Sequence, residues 1–469
     1  MTEDSWDEPS TTIGEPDSIP APVAVIPPPV PWWQRWFWFP VKLGVGALLM
    51  QTPAGAIAVA GWLQRCVQRA VFRSWWRRGR GRLGTFEEFM AEEPMLLDFR
   101  RMPNWVVDQE NRLKAGGVGA GVGVGGNRGF WARYFGSLAS NVWRGIQSLS
   151  NVAILTMPGA ALWWFGWWGG WQNSFHKGYE HALVGPLISW FGILLFVAAM
   201  FYVPMAAARQ AATGRWKSFW EGRTVWTLVR VSWWQSACVA VAHAVANVIV
   251  MGLKSWPQFL PQARVAALAQ RGLDPTEAYH QGIEKVDWSE LTEAQAVQIL
   301  NLHFLGSALA VLAILLVLKR LVAWMYSGAV LRAVRRRVLG EEHLADSEWR
   351  ILNTLGLLQV GDPPVRAFLV RAIAWAGTKA GRVVSAGVVF LSWFAFVSAI
   401  YVSEFFSHHP GVGWLNQPLV QVPWFRYVPP TLENPAPSLL AAAVLVGIAC
   451  AIRAWRRRGA ARRGATMDG

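Results

Sequence analysis

The chain contains few charged residues for its length. Asp, Glu, Lys and Arg make up 16% of its 469 residues, whereas an average soluble domain contains about 25%. Hydrophobic residues make up 53% of the chain. Because a soluble surface is kept hydrated by charged side chains, this composition indicates that much of the surface faces lipid.

Cysteine is also scarce, and the three cysteines are far apart. Cys66, Cys238 and Cys450 form no Cys-x-x-Cys pair, so neither a disulfide framework nor a thiolate metal site is indicated. The sequence contains none of the enzyme and calcium-binding motifs GxSxG, HExxH, Walker A or EF-hand. A single GxGxxG match in the glycine-rich segment 114–129 has no predicted strand before it, and the segment is interpreted as a linker.

Long apolar stretches dominate the remaining sequence. Each is near the ~20 residues that a helix needs to cross about 30 Å of hydrocarbon. They predict an all-α, polytopic membrane protein with six or seven transmembrane helices and cytoplasmic amphipathic segments. The seven stretches are roughly 41–64, 152–170, 183–206, 228–253, 301–326, 383–405 and 437–455.

The first stretch is the weakest candidate for a span. It has Pro53 at its centre and several glycines, and proline kinks or breaks a helix. The stretch 41–64 therefore either crosses the membrane with a kink or enters and returns on the same side. The predicted orientation of the other six helices is the same in both cases.

The distribution of Lys and Arg predicts the orientation. Of the 44 basic residues, 36 lie in the regions 65–150, 207–230, 319–382 and the tail from Arg453. Basic loops stay in the cytoplasm, so these regions and the C-terminus are predicted to be cytoplasmic. The excess of Arg over Lys, 36 to 8, is typical of a GC-rich bacterial genome, and the predicted location is the bacterial inner membrane. The net charge of +15 then reflects topology, and no nucleic-acid partner is predicted.

Composition divides the chain into six predicted regions. The acidic, proline-rich start cannot bury a core and is expected to be disordered. The regions are the tail (1–38), the first membrane segment with its basic flank (39–84), a cytoplasmic loop with the glycine-rich linker (85–150), a four-helix membrane bundle with a far-side cap at 254–300 (151–326), a basic and amphipathic cytoplasmic segment (327–382), and the last two transmembrane helices with a basic tail (383–469).

Tryptophan is abundant, with 31 residues, and five of them lie within nine positions. Their spacing places them on one stripe of a helix, near the membrane interface where an aromatic belt is expected. They are interpreted as an interfacial anchor. The alternative is an aromatic wall facing a cation or a ring-bearing solute. The five are Trp163, Trp164, Trp167, Trp168 and Trp171.

Two far-side segments carry metal-ligand residue types with the same spacing, at i, i+4 and i+5. Imidazole and carboxylate together suit zinc or another divalent metal. Because the predicted topology places both sets on one membrane face, the hypothesis is that they converge on a divalent metal or a protonatable site. The simpler interpretation is two solvated loop ends. The first set is His176, Glu180 and His181, and the second is Glu404, His408 and His409.

Polar residues inside an apolar stretch are unusual, and they suggest a structural or a transport role. His243 has Asn247 four residues later, so the two share one face of a helix. They are predicted to hydrogen-bond between helices, and the alternative is a role in transport.

A basic segment, VLRAVRRRVLG at 330–340, follows the fifth apolar stretch. Its position beside the membrane predicts binding to anionic lipid headgroups. The lipid bilayer is therefore one predicted partner, and a second membrane protein is another. The predicted lipid-facing residues are Arg332, Arg335, Arg336 and Arg337.

The segment FYVPMAAARQAATGRWKSFWEGRTVWTLVR, 201–230, resembles a bacterial multi-spanning family called domain of unknown function 4013. The resemblance covers about residues 150–255 and implies a membrane fold without a mechanism. Independently, Pro204 is expected to end or kink a helix, and 209–223 is interpreted as an amphipathic interfacial helix. The residues that carry the resemblance are Tyr202, Pro204, Arg209, Gly214, Phe219 and Arg223.

Three functions are compatible with these features. The first is a non-enzymatic scaffold or accessory protein of the inner membrane. The second is a permease-like transporter that uses the interior around His243 and Asn247. The third is a metal-dependent membrane enzyme built on the far-side histidines.

Overall fold

The computed structural model describes a helical chain. It covers residues 32–79, 84–92, 102–103, 105, 130–166, 184–270, 293–358 and 368–407. These ranges contain no β-strand. Their α-helices are α1 (Trp32–Leu49), α2 (Pro53–Arg78), α3 (Phe86–Glu92), α4 (Phe130–Phe165), α5 (Val184–Thr213), α6 (Gly222–Val231), α7 (Trp233–Gln270), α8 (Glu293–Arg335), α9 (Asp346–Thr354) and α10 (Phe368–Ser407). Two short 3-10 helices are Trp216–Trp220 and Glu341–His343.

Four helices are long and apolar enough to cross a membrane. The spans are Pro186–Thr213 of α5, Trp233–Leu253 of α7, Leu302–Arg335 of α8 and Thr378–Ala399 of α10. Their outer faces carry exposed apolar side chains such as Leu187, Val245 and Leu391, as expected for helices in contact with lipid. The predicted all-α class is therefore confirmed, together with a membrane-embedded character, while the predicted number of six or seven spans stays a prediction.

Several helices extend beyond the predicted regional boundaries. Helix α1 begins within the predicted tail, and α4 begins within the predicted loop 85–150. Helices α7 and α8 both continue into the predicted far-side cap, and α8 and α10 continue into the predicted cytoplasmic segment 327–382. The linker 114–129 and the last apolar stretch, 437–455, lie outside the described residues.

The first apolar stretch forms a helical hairpin. Helix α1 ends at Leu49, and Thr52 caps the start of α2 by accepting a hydrogen bond from the Gly55 backbone N–H at 3.1 Å. Pro53 takes the first position of α2, where its missing N–H costs no helical bond. The proline therefore separates two helices instead of kinking one.

Residues 102–105 hold the two arms of the hairpin together. The Lys42 ammonium donates to the Met102 and Pro103 carbonyls at 2.8 and 3.0 Å. From α2, the Trp62 indole N–H donates to the same Pro103 carbonyl at 3.0 Å. The Trp62 ring also stacks on Trp105 with 4.6 Å between centroids. The first stretch thus enters the bundle and turns back.

Helix α8 lies at the centre of the bundle, since it packs against α1, α2, α5, α6 and α7. Helix α10 covers the α7 face, and α4 lies between α2 and α5. The basic region 319–382, which the orientation prediction places in the cytoplasm, begins at Lys319, but α8 continues without a break to Arg335. Lys319 therefore lies about four turns inside the helix.

Glycines allow α4 to approach both neighbouring helices at backbone distance. A Cβ on Gly61 would overlap the Asn141 carbonyl oxygen, and one on Gly145 would overlap the Ile57 carbonyl oxygen. Similarly, a Cβ on Gly192 of α5 would lie 2.5 Å from the Trp163 backbone nitrogen. Close approach at small residues is a common way for membrane helices to pack.

One end of the bundle collects the C-terminal ends of α2, α5 and α8, the start of α7, and helices α6 and α9. We call it the basic end because Arg209, Arg215 and Arg332 lie there. Helix α5 passes through Pro204 and stops where Gly214 adopts φ +69°. The prediction of one amphipathic helix over 209–223 is therefore wrong, because this glycine and a 3-10 helix divide the segment.

Candidate functional site at the basic end

A buried arginine lies at the centre of the basic end. Arg209 is 3% exposed and approaches the junction from the last turns of α5. Its Nε donates to the Glu221 carboxylate at 2.6 Å, and its Nη2 donates to the His343 carbonyl at 2.7 Å. Arg209 Nη2 also forms an ion pair with Glu221. One side chain thus connects α5 with the start of α6 and with the turn before α9.

Two further buried residues complete this cluster. The Tyr326 hydroxyl of α8 donates to Glu348 Oε1 at 2.7 Å, and the Ala345 backbone N–H donates to Glu348 Oε2 at 3.1 Å. Arg209 Nη1 lies 3.9 Å from Glu348 Oε2 and 3.4 Å from the Tyr326 hydroxyl. We call Arg209, Glu221, Tyr326 and Glu348 the Arg209 network.

Burial disfavours the charged groups of the network, and their hydrogen bonds and ion pairs offset this cost. Glu348 and Tyr326 are both fully buried. Burial raises the pKa of the Glu348 carboxyl, while the Arg209 charge and the hydrogen bonds from Tyr326 and Ala345 act in the opposite direction. Since each polar group has a partner, the arrangement suits a rigid junction, as fully paired buried networks do.

A second set of hydrogen bonds fixes the 3-10 helix Trp216–Trp220 against α4 and α5. The Tyr202 hydroxyl donates to the Phe219 carbonyl. The Trp220 indole N–H donates to the Asn151 side-chain oxygen at 2.8 Å, and Asn151 Nδ2 donates to the Gln210 side-chain oxygen at 3.1 Å. These bonds orient the segment that carries Glu221.

The predicted lipid-facing arginines divide into two groups. Arg336 and Arg337 are exposed, and their contact with lipid headgroups stays a prediction. Arg332 instead turns inward, where its Nε donates to the Val231 carbonyl at 3.3 Å. Arg335 is half-buried, and its Nε is buried without a hydrogen-bond partner. The description of Arg332 as lipid-facing is therefore wrong, because α7 lies across that face of α8.

His243 and Asn247 lie between α7 and α10. Asn247 Nδ2 donates to the Phe396 carbonyl of α10 at 3.0 Å. His243 is buried against the Trp393 ring at 5.4 Å between centroids, and its Nδ1 lies 2.7 Å from the Val239 carbonyl of its own helix. Both side chains thus pack in a helix–helix contact.

Replacing Asn247 with leucine is expected to loosen the pairing of α7 and α10. An interhelical hydrogen bond within a membrane contributes about 0.6 kcal/mol on average and about 1.7 at most. The loss should be measured by reversible unfolding in mixed micelles. The matched control is Val248→Leu on the adjacent, exposed position of α7, where no loss is expected. A stability equal to the wild type in the Asn247 variant would contradict this role.

The predicted metal-site residues are mostly outside the described ranges. His176, His181, His408 and His409 lie there, and Glu404 is described only as part of the α10 backbone. Among the residues that the structure describes, no group of three His, Cys, Asp or Glu side chains could hold a metal ion. The hypothesis of a shared divalent metal site stays a prediction.

The tryptophan stripe is described only at its first residues. Trp167, Trp168 and Trp171 lie outside the described residues, and Trp164 is described only through its backbone. Trp163 is buried, and its backbone approaches Gly192 of α5. Its ring therefore packs within the protein, which differs from the predicted role of an interfacial anchor.

The Arg209 network was missed in the sequence. The sequence assigns Arg209 to a basic, amphipathic segment at the membrane surface, and Glu348 lies in an acidic run that is typical of a solvated loop. Arg209, Tyr202, Gly214 and Phe219 all belong to the segment 201–230, whose resemblance to a membrane-protein family stays a prediction. In the structure these four residues all lie at the basic end, in or close to the Arg209 network.

No protein-family model, curated protein or solved structure matches this chain.

Proposed function

We propose that the chain is a non-enzymatic scaffold or accessory protein of a bacterial inner membrane. The Arg209 network carries this proposal. It fixes α9 and the turn at Glu341–His343 to the membrane helices α5 and α8 through buried, paired charges. A scaffold needs a surface with a fixed position relative to the membrane, and such a junction provides one.

The proposed orientation places the basic end in the cytoplasm. The distribution of Lys and Arg supports it, because basic segments remain on that side. The hairpin of α1 and α2 supports the six-span form of the protein, in which the first apolar stretch returns to the side from which it came. In that form the N-terminal tail and the C-terminus are both cytoplasmic.

The use of intramembrane polar residues also supports a scaffold. Asn247 and His243 pack between α7 and α10, within the candidate spans of these two helices. In transporters, such residues more often line a solute pathway. Here they have helix–helix partners, which suits a bundle of fixed shape.

Site-specific photo-crosslinking in bacterial cells would test the proposal. A photoreactive amino acid at Trp349, on the exposed face of α9 (39% exposed), is expected to give one protein adduct of defined mass. The same probe at Leu391, on the lipid-exposed face of α10, is the matched control and is expected to give no protein adduct. Introducing Arg209→Met should remove the adduct at 349, since α9 loses its attachment. Absence of a protein adduct at 349 would contradict the scaffold.

A further inference from the structure

A cluster of nitrogen donors surrounds Gly328 in the last third of α8. A side chain at this position would point towards three of these nitrogen atoms. A Cβ there would lie 3.0 Å from Gln235 Nε2, 3.4 Å from Arg332 Nη1 and 3.5 Å from Arg78 Nη1. Helices α2, α7 and α8 each contribute one donor, and the three donors converge on the side of α8 where glycine carries no side chain.

The arginines of this cluster, Arg78, Arg332 and Arg335, form no ion pair with any carboxylate in the part of the chain that the structure describes. Burial and the nearby charge of Arg335 lower the pKa of the Arg78 guanidinium. The positive charges of Arg78 and Arg336 in turn repel that of Arg332. Like charges held this close favour an anion between them.

Local bonds orient the donors before any ligand binds. Arg332 Nη2 donates to the Gln235 side-chain oxygen, so the amide nitrogen of Gln235 is left pointing towards Gly328. Arg332 Nε is held by the Val231 carbonyl. Arg335 adds a buried Nε that has no hydrogen-bond partner. A buried donor without a partner is costly in a protein interior, and an oxyanion would satisfy it.

We propose that Arg78, Gln235 and Arg332, whose nitrogen atoms converge at Gly328, form with the neighbouring Arg335 a binding site for the phosphate group of a phosphorylated ligand. Guanidinium groups bind phosphate oxygens through paired, charge-assisted hydrogen bonds. The site lies where the spans of α7 and α8 reach the basic end, which is the depth of phospholipid phosphates in a bilayer. An anionic phospholipid headgroup and a soluble phosphate share this chemistry. This inference goes beyond the scaffold and does not depend on it.

The test compares binding by the full-length protein and four variants. Arg78→Gln removes one donor, and Gly328→Ala places a methyl group against the three donors. Arg230→Gln removes an exposed arginine of α6 at the same end, and Gly306→Ala adds a methyl to α8 where nothing lies within 4 Å. Native mass spectrometry with added phosphatidylglycerol or phosphatidylcholine measures lipid binding. Thermal unfolding in detergent with inorganic phosphate measures binding of the free anion.

We expect Arg78→Gln and Gly328→Ala to weaken phosphatidylglycerol binding by about tenfold or more, as loss of a charge-assisted hydrogen bond would. The two control variants should bind like the wild type. The same pattern with inorganic phosphate alone would also support the site and would identify a soluble phosphate as its ligand. Equal losses in Arg78→Gln and Arg230→Gln would overturn the proposal, because binding would then reflect the general positive charge. Binding by neither ligand would overturn it as well. Arg78→Gln decides the question even if Gly328→Ala fails to fold.

Discussion

Replacing Arg209 with methionine is expected to destabilise the folded protein by about 3–5 kcal/mol, the cost of removing one partner from a buried ion pair. Methionine keeps much of the apolar stem but removes the guanidinium group. The Glu348 carboxylate, the His343 carbonyl and the Tyr326 hydroxyl would then lose a positively charged neighbour. Glu221 is 39% exposed and can regain water, so most of the cost falls on the buried Glu348.

The matched control is Arg215→Met. Arg215 Nη2 forms an ion pair with Asp346 at 3.1 Å, but the two side chains are 62% and 73% exposed. An exposed pair of this kind contributes about 1 kcal/mol or less. Both variants can be compared by reversible unfolding in mixed micelles. Similar losses in the two variants would show that Arg209 acts only through surface charge.

The stability of the Arg209→Met variant should also depend more strongly on pH than that of the wild type. Burial already raises the pKa of the Glu348 carboxyl in the folded protein, and the positive charge of Arg209 opposes that rise. Without Arg209 the pKa rises further, so the folded state holds a proton that the unfolded state releases. The free energy of unfolding therefore falls as pH increases from the ordinary carboxyl pKa to the raised one.

Acidification should accordingly restore part of the lost stability. Adding Glu348→Gln to Arg209→Met is the control, because glutamine has no proton to release. The double variant should be more stable than the single variant at neutral pH, and its stability should not change across the same range. A flat pH profile in Arg209→Met itself would show that Glu348 is not left buried and charged.

The membrane spans were predictable because hydropathy is a local property. Each of α5, α7, α8 and α10 carries enough consecutive apolar residues to be recognised without knowledge of its neighbours. Helix ends were predicted less well. Helix α8 continues past Lys319 to Arg335, because lysine and arginine are good helix formers and the change from apolar to basic sequence does not end a helix.

The hairpin could have been predicted from capping residues. Thr52 followed by Pro53 is a helix start, with the threonine as the cap and the proline in the first turn. Hydropathy alone averages across this break, because the residues on both sides are apolar. The signal was therefore in the sequence, but in residue types and not in their hydrophobicity.

The Arg209 network could not be derived from the sequence. Its members come from α5, α8, α9 and the start of α6, and no spacing rule relates residues so far apart. Their type also suggests the opposite environment, since Glu348 and Arg209 are normally exposed. Only the packing of α9 onto the membrane helices explains why they are buried. The same holds for Arg332, whose inward orientation depends on the position of α7.

Adding a methyl group at Gly61 is expected to reduce the stability of the folded protein more than most substitutions of similar size. The Cβ of Gly61→Ala would overlap the Asn141 carbonyl oxygen of α4. A helix backbone cannot yield locally as a flexible side chain can, so α2 and α4 would have to separate. Overpacking usually costs about 1–3 kcal/mol, occasionally more, and the high end is expected because backbone is the obstacle.

Gly306→Ala in α8 is the matched control, with an expected change of opposite sign. Nothing lies within 4 Å of its new Cβ. Alanine is favoured over glycine inside a helix by about 0.5–1 kcal/mol, so this variant should be slightly more stable than the wild type. Comparing the two variants by unfolding in mixed micelles separates helix propensity from packing.

A second glycine at the same crossing, Gly145 of α4, allows the packing explanation to be tested directly. Gly145→Ala would place its Cβ against the Ile57 carbonyl oxygen of α2, at the same crossing but from the opposite helix. If one methyl group already separates the two helices, a second should cost much less, so the double variant should lose less stability than the two single losses together. Strictly additive losses would mean that each glycine acts within its own helix. In that case the close approach of α2 and α4 would not be what makes glycine necessary at either position.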